Sequence, residues 1–573
     1  MKHLDNSKIR RCLVAALSAF VLFASFASSA ATRHPVYGRH GVVSTSSAIA
    51  SEVGVEILKQ GGNAVDAAIA TAFTMAVTWP SAGNIGGGGF LIYHGSDGET
   101  AAFDFREKAP LAATRDMYLD EHGGVRDNSN HDGILAVGVP GTVAGMALAH
   151  RRYGSLDWKD LLQPAITLAR NGFTLSWHLA ESFSEQKEWW DTYPSSAKIF
   201  LKEDGSTYDA GDNWKQPELA RTLERIRDTG ADGFYKGETA QLIATFMREN
   251  GGIITLDDLA KYRAKERQPV RGSYRGYDIV SMPPPSSGGT ALVQMLNILE
   301  GYELQEIGHN SGLYLHLLTE AMRRAFADRA NYLGDADFNE DMPLARLTSK
   351  AHAAEQRSTI DLDRKSISDP ARFAQVYESD DTTHFSVVDG RGNMVSMTYT
   401  LEYGFGSKIV VDGAGFLLNN EMGDFNARPG VTLEDGTIGT DANLIRPEQR
   451  MLSSMTPTVV AVDGVPLFAT GTPGGRTIIN TTLQTILNVI DHGMNIAEAV
   501  SAGRIHHQWL PDTTDAELSL LSPDSIRLYV ERGHEIEDAT SIGDANMVYR
   551  DPQSGVLSGA SDPRSADGAA VAY

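Results

Sequence analysis

Asp381-Thr382-Thr383-His384-Phe385-Ser386-Val387-Val388-Asp389-Gly390-Arg391-Gly392-Asn393-Met394-Val395-Ser396-Met397-Thr398-Tyr399-Thr400 is the stretch from which the rest of this 573-residue chain can be read. Thr383, Phe385 and Val387 alternate with His384, Ser386 and Val388. Asp389 to Asn393 is turn sequence, and Met394 to Thr400 is a second run rich in β-branched residues. Two such runs joined by a short glycine-rich loop predict a β-hairpin. With the loop centred on Arg391, Thr382 falls opposite Thr400. Cross-strand partners hold their Cβ atoms about 4.5–5.5 Å apart, close enough for two hydroxyls to meet. Taken alone, such a pair is ordinary sheet decoration.

Working outward, the character of the chain changes at this point. Upstream, helical stretches alternate with glycine-rich loops. Residues 48–58 read as a helix stopped by Gly61-Gly62, and 66–77 as a buried apolar helix. Gly83 to Phe90 reads as a turn feeding a strand at 91–93. Segments 140–180 and 215–265 read as largely helical. The breaker cluster Pro283 to Gly289 precedes an apolar helix at 292–299, and the polar residues 350–381 read as an exposed connector. After Asp381 the sequence turns to short strands and tight turns. No solenoid or propeller period is present.

The first thirty residues form a separate object. Lys2, Lys8, Arg10 and Arg11 precede the uncharged apolar run 13–27, and Ser28-Ser29-Ala30 follows. That is the layout of a secretory signal, and the run is shorter than the ~20 residues of a membrane-spanning helix. Cleavage and export to the periplasm or beyond are expected, with no membrane attachment afterwards. The one cysteine, Cys12, lies inside this segment. The mature chain therefore lacks disulfides, a thiol nucleophile and thiolate metal ligands. A formal charge of −23 argues against nucleic acid as a partner. No HExxH, P-loop or zinc-ribbon pattern occurs, so neither metal nor cofactor is expected. Adjacent His506 and His507 point to different faces of a strand and read as structural, as do Asp562-Pro563-Arg564.

The stretch 381–389 closely resembles the processing site of γ-glutamyltranspeptidases, N-terminal-nucleophile hydrolases whose precursor cuts itself before the first threonine. Further resemblances follow in order: Thr398-Tyr399-Thr400, Leu417 to Met422, Leu452 to Pro457, Gly471 to Gly475, His506 to Pro511 and Gly559 to Arg564. Upstream, Gly61 to Ala68, Asp104-Phe105-Arg106-Glu107 and Pro284 to Gly289 complete the set, which spans essentially the whole mature chain. The resemblance implies an α/β fold, the αββα four-layer sandwich. It also implies three parts: a signal peptide at 1–30, a large subunit at 31–381, and a small subunit at 382–573 that begins with the nucleophile. The two subunits would form one interlocked heterodimer.

The implied chemistry suits the residues. Threonine is a weak nucleophile, but an N-terminal threonine carries its own base, the α-amine, once the bond before Thr382 is cut. Thr400 would orient the Thr382 hydroxyl. Gly474 and Gly475, between a strand and the apolar stretch 478–490, would offer backbone amides to the oxyanion, although by themselves they are equally a plain strand-to-helix turn. A γ-glutamyl donor carries an α-carboxylate, for which the resemblance assigns Arg106, Ser453 and Ser454. It also carries an α-ammonium, for which it assigns Glu402, Glu421 and Asp424. Many relatives have amides at 402 and 421, where this chain has carboxylates. Segment 428–443 resembles a lid loop and reads equally as a surface loop. The expected reaction passes the γ-glutamyl group of glutathione and related compounds through a Thr382 ester to water or to amino acid or dipeptide acceptors. Two alternatives stay open: a cephalosporin (glutaryl) acylase of the same fold, and a non-enzymatic periplasmic binding protein.

Overall fold

The computed structural model describes residues 34–368, 382–431 and 440–573. The expected leader, the Asp381 side of the expected cleavage junction and half of the lid-like segment, residues 432–439, lie outside the described residues. Within them, two seven-stranded antiparallel sheets form the centre of the fold. The first runs Ala569–Ala572, Gly41–Thr45, Thr383–Asp389, Met394–Thr400, Gly88–His94, Thr100–Asp104, Lys265–Arg267. The second runs Val36–Gly38, Leu557–Ser561, Asn546–Arg550, Val465–Thr470, Thr458–Val462, Tyr277–Ser281, Val270–Tyr274.

The expected hairpin forms in the expected register. Thr383 pairs with Tyr399 and Val388 with Met394. Its turn is held by Asp389, whose carboxylate accepts from the backbone N–H groups of Arg391 and Asn393 and, at 3.1 Å, from that of Ala64. Both faces are buried, as expected for a central strand pair covered on both sides. Phe385, Val387, Val395, Met397 and Tyr399 join the core made with the helices Ala48–Lys59 and Ala64–Thr78. The alternate residues face the second sheet. Val388 and Met394 belong to the apolar layer between the sheets, and Ser396 Oγ donates to the Thr470 carbonyl at 3.0 Å. A third core lies beyond the second sheet, against the helices Gly288–Leu299, Gly312–Tyr332 and Thr477–Ile490. Helix, sheet, sheet, helix is the four-layer order expected from the sequence.

Three local expectations are corrected. The apolar helix begins at Ala64 rather than 66, because Asn63 and Asp66 form a reciprocal capping box. The helix after the proline cluster starts at Gly288 rather than 292. Ser286 and Ser287 tie its entrance to the carbonyls of Met455 and Ser453. Part of the connector, Lys350–Arg357, is helical. Ser349 caps it, and the buried His352 reaches Asp328 at 2.8 Å, a tertiary contact with no periodic signature in the sequence. His506 and His507 are buried and structural, as expected. They are bound to Asn480 and Gln508, and to Asp512 and the Trp509 N–H, respectively.

Candidate active site

One narrow cavity is lined by every expected site residue except Gly474, with Met455 and Ile478 as its apolar wall. Thr382 sits one residue ahead of its strand, on the face turned toward the second sheet, and is half-buried. Its Oγ1 donates to Thr400 Oγ1 at 3.3 Å, a long contact for two hydroxyls. Thr400 Oγ1 also accepts from the Glu402 N–H at 2.8 Å, which fixes it. The neighbouring His384 is no base for Thr382. It lies between the sheets with its nitrogens against Thr398 and Ser386, and burial pushes its pKa down to about 3.

Arg106 enters from the loop after Thr100–Asp104 and is almost wholly buried. One guanidinium nitrogen pairs with Glu421 and the other with Asp424. The resemblance assigns these residues to two different groups on the donor's α-carbon; the structure joins them directly. A zwitterionic α-amino acid end group matches that arrangement: its carboxylate takes the guanidinium while its ammonium takes the carboxylates. Behind Arg106 lies Glu107, 3.7 Å from it, with a pKa that desolvation pushes up to about 8 against the pull of Arg106.

Ser453 and Ser454 are held by the Pro283–Gly289 cluster. Ser453 N–H donates to the Pro285 carbonyl at 2.9 Å, and the Ser453 carbonyl accepts from Ser287 N–H and Oγ at 2.7 Å each. Arg329, on the long helix Gly312–Tyr332, donates to Ser454 Oγ at 3.0 Å and to Ser287 Oγ at 2.8 Å. Gly474 and Gly475 both have positive φ, 123° and 53°, in the loop before Thr477–Ile490. Only Gly475 lines the donor cavity. Gly474 borders a separate polar cavity with Arg476, His506 and Asp544.

Sequence reasoning missed Arg329 and His131. The His131 Nδ1 lies 2.8 Å from Glu402 Oε1. Arg329 sits in a helix whose buried residues occupy nearly every position, and His131 in an irregular Asn/Asp/Gly-rich loop, so neither produces a pattern. His316, Glu320 and His534 converge, but Glu320 is committed to Arg323, Arg324 and Ser366, and the two imidazoles contact each other at 2.7 Å.

Comparison with known proteins places the chain in a family. The sequence profile of a family described as gamma-glutamyltranspeptidase matches residues 50–572. The glutathione hydrolase proenzyme of Escherichia coli K12 is 46% identical over 94% of this chain and 93% of its own length. The acylase ACY 1 proenzyme of Pseudomonas sp. SE83 is 37% identical over 94% of this chain and 95% of its own. Among solved structures, a cephalosporin acylase from Bacillus halodurans superposes with a TM-score of 0.84 at 28% identity, covering 96% of this chain and 98% of that one. The chain belongs to the γ-glutamyltranspeptidase family.

Proposed function

We propose that this chain is a glutathione hydrolase and γ-glutamyltransferase that works through Thr382. The observation that carries the reading is that Thr382 and Thr400 line the same cavity as Arg106, paired with Glu421 and Asp424. In the precursor, the Thr382 hydroxyl attacks the Asp381 carbonyl. The bond from that carbonyl to the Thr382 nitrogen breaks, giving an ester and a free α-amine, and water then hydrolyses the ester to release the Asp381 carboxylate and the Thr382 hydroxyl, leaving a large subunit 31–381 and a small subunit 382–573 as a heterodimer. On substrate, that amine takes the hydroxyl proton as Oγ1 attacks the γ-carbonyl. Backbone amides at Gly474 and Gly475 meet the oxyanion, and the leaving amine departs with the proton. Water or the amine of an amino acid or peptide then attacks the γ-glutamyl ester. Arg106, Ser453 and Ser454 hold the donor carboxylate, and Glu402, Glu421 and Asp424 its ammonium. Residues 1–30 direct export, so the mature enzyme acts in the periplasm or outside the cell; among the described residues no helix is long and apolar enough to cross a membrane.

An acylase acting on glutaryl groups shares the fold, yet the acidic cluster favours the γ-glutamyl donor. A glutaryl group brings a carboxylate for Arg106 and no cation for Glu421 and Asp424. The maturation step is tested by a denaturing gel and N-terminal sequencing. Wild type yields a smaller fragment beginning at Thr382, while Thr382→Ala stays one uncut, inactive chain. Any other start removes Thr382 as the nucleophile.

A further inference from the structure

His131 stands behind the donor pocket, against Glu402 in its wall. Its Nδ1 lies 2.8 Å from Glu402 Oε1, and both side chains are buried. Its ring lies flat on Tyr403, with centroids 5.1 Å apart and planes 4° from parallel. The backbone on both sides is pinned by one residue: Asn420 Nδ2 donates to the His131 carbonyl at 3.1 Å, and Asn420 Oδ1 accepts from the Tyr403 N–H at 3.1 Å. Gly423 permits the approach, since a Cβ there would sit 2.1 Å from His131 Nδ1. Glu402 itself has φ 83°, a conformation that a non-glycine residue keeps only where its surroundings enforce it. Its N–H donates to Thr400 Oγ1, which in turn accepts from Thr382 Oγ1.

We propose that His131 is a positioning residue for donor recognition: its Nδ1, 2.8 Å from Oε1, holds the Glu402 carboxylate in the orientation that meets the donor ammonium. This rests on the γ-glutamyl reading above. The chain of contacts runs from the His131 ring through Glu402 to Thr400 and Thr382, linking the recognition end of the site to the nucleophile. The groups facing the imidazole are Glu402, Asp424, Asp132 and the Tyr403 ring, whose far interactions include Lys408 at 5.5 Å from its centroid. Burial lowers the His131 pKa, opposed by Asp424 and Asp132. Without the imidazole, Glu402 loses the contact that fixes its direction, and the donor ammonium meets a carboxylate that is no longer held in place for it.

The test uses matured wild type, His131→Leu and His131→Asn, with γ-glutamyl-p-nitroanilide from pH 6 to 9. A hydrogen bond to a charged group is worth about 10- to 100-fold in binding. His131→Leu should raise KM by about that factor at pH 7 with a smaller change in kcat. His131→Asn, which keeps an N–H donor of similar reach, should restore most of the KM. A denaturing gel of each variant reports whether self-cleavage proceeds; should the leucine variant stay uncut, the asparagine variant decides by its KM and kcat against wild type, where a tenfold rise in KM overturns the proposal. Unchanged KM in matured His131→Leu, or a loss that falls on kcat rather than KM or that asparagine does not rescue, also overturns it while leaving the γ-glutamyl reading intact. A wild type inactive on the γ-glutamyl anilide overturns both.

Discussion

Asp424→Asn removes one negative charge from the donor cavity while keeping the shape of the side chain. In the structure the Arg106 guanidinium is shared between Asp424 and Glu421, and it also reaches the Met451 carbonyl at 3.4 Å and that of Leu452 at 3.3 Å. The variant therefore leaves Arg106 paired to Glu421, and the donor ammonium retains Glu402 and Glu421. What is lost is one charge-assisted hydrogen bond in a buried site, about 1.5–3 kcal/mol, or roughly 10- to 150-fold in kcat/KM for a γ-glutamyl donor. A glutaryl donor has no ammonium, so in the wild type it strands carboxylates that the substrate should neutralise, a costly state in a closed site. The substitution relieves part of that cost, and the γ-glutamyl to glutaryl preference should fall by about tenfold or more. The assay is kcat/KM for γ-glutamyl and glutaryl p-nitroanilides with matured enzyme. A wild type that already prefers glutaryl, or a ratio that stays put in Asp424→Asn, would refute the assignment and move the acylase reading ahead.

Other expectations follow from the same geometry. Arg106→Ala should cut donor kcat/KM by about 2–5 kcal/mol while still yielding two fragments on a gel, because Arg106 serves binding rather than processing; near wild-type kinetics would contradict this. The buried His384, His506, His507 and His534 have pKa values pushed by burial to between about 3 and 4, below the ordinary 6.5. The unfolded chain then binds more protons between about pH 4 and 6.5, so the melting temperature should fall as pH drops through that window, and a flat profile would be wrong. Glu107 has the opposite sign. Its folded pKa of about 8 exceeds the ordinary 4.5, so its ionisation costs stability as pH rises from 4.5 to 8. The melting temperature of Glu107→Gln relative to wild type should therefore climb between pH 5 and pH 8, and a constant difference would rule this out.

Much of the site was legible because it hangs on a hairpin. The turn at Asp389 to Asn393 fixes a register, the register sets Thr382 against Thr400, and side-chain alternation sends both toward the second sheet. The glycine pair before Thr477–Ile490 is equally local. What stayed hidden is tertiary. Nothing in the spacing of 106, 421 and 424 says that Arg106 pairs with both acids, because the three meet only when a loop of the first sheet reaches the short helix Glu421–Asp424. Arg329 reaches Ser454 across 125 positions, and His131 reaches Glu402 from an irregular loop. The helix Lys350–Arg357 was hidden for the same reason: its stability comes from Asp328 rather than from its own apolar pattern.

The strand order has one more consequence. Thr383–Asp389 lies against Gly41–Thr45, Met394–Thr400 against Gly88–His94, Thr458–Val462 against Tyr277–Ser281, and Val36–Gly38 against Leu557–Ser561. Every one of these seams would join residues from opposite sides of a cut before Thr382. The pieces would then be woven rather than docked, with no surface along which they could part without opening both sheets. Such a molecule depends on its history: the weave is made while the chain is still one thread, and the scission comes afterwards. Once unfolded, two loose strands of different length would have to find several interleaved partners in the right sequence, a bimolecular task the intact thread never faced. Heat or denaturant should thus retire the mature enzyme for good, and activity lost that way would return only by making new precursor.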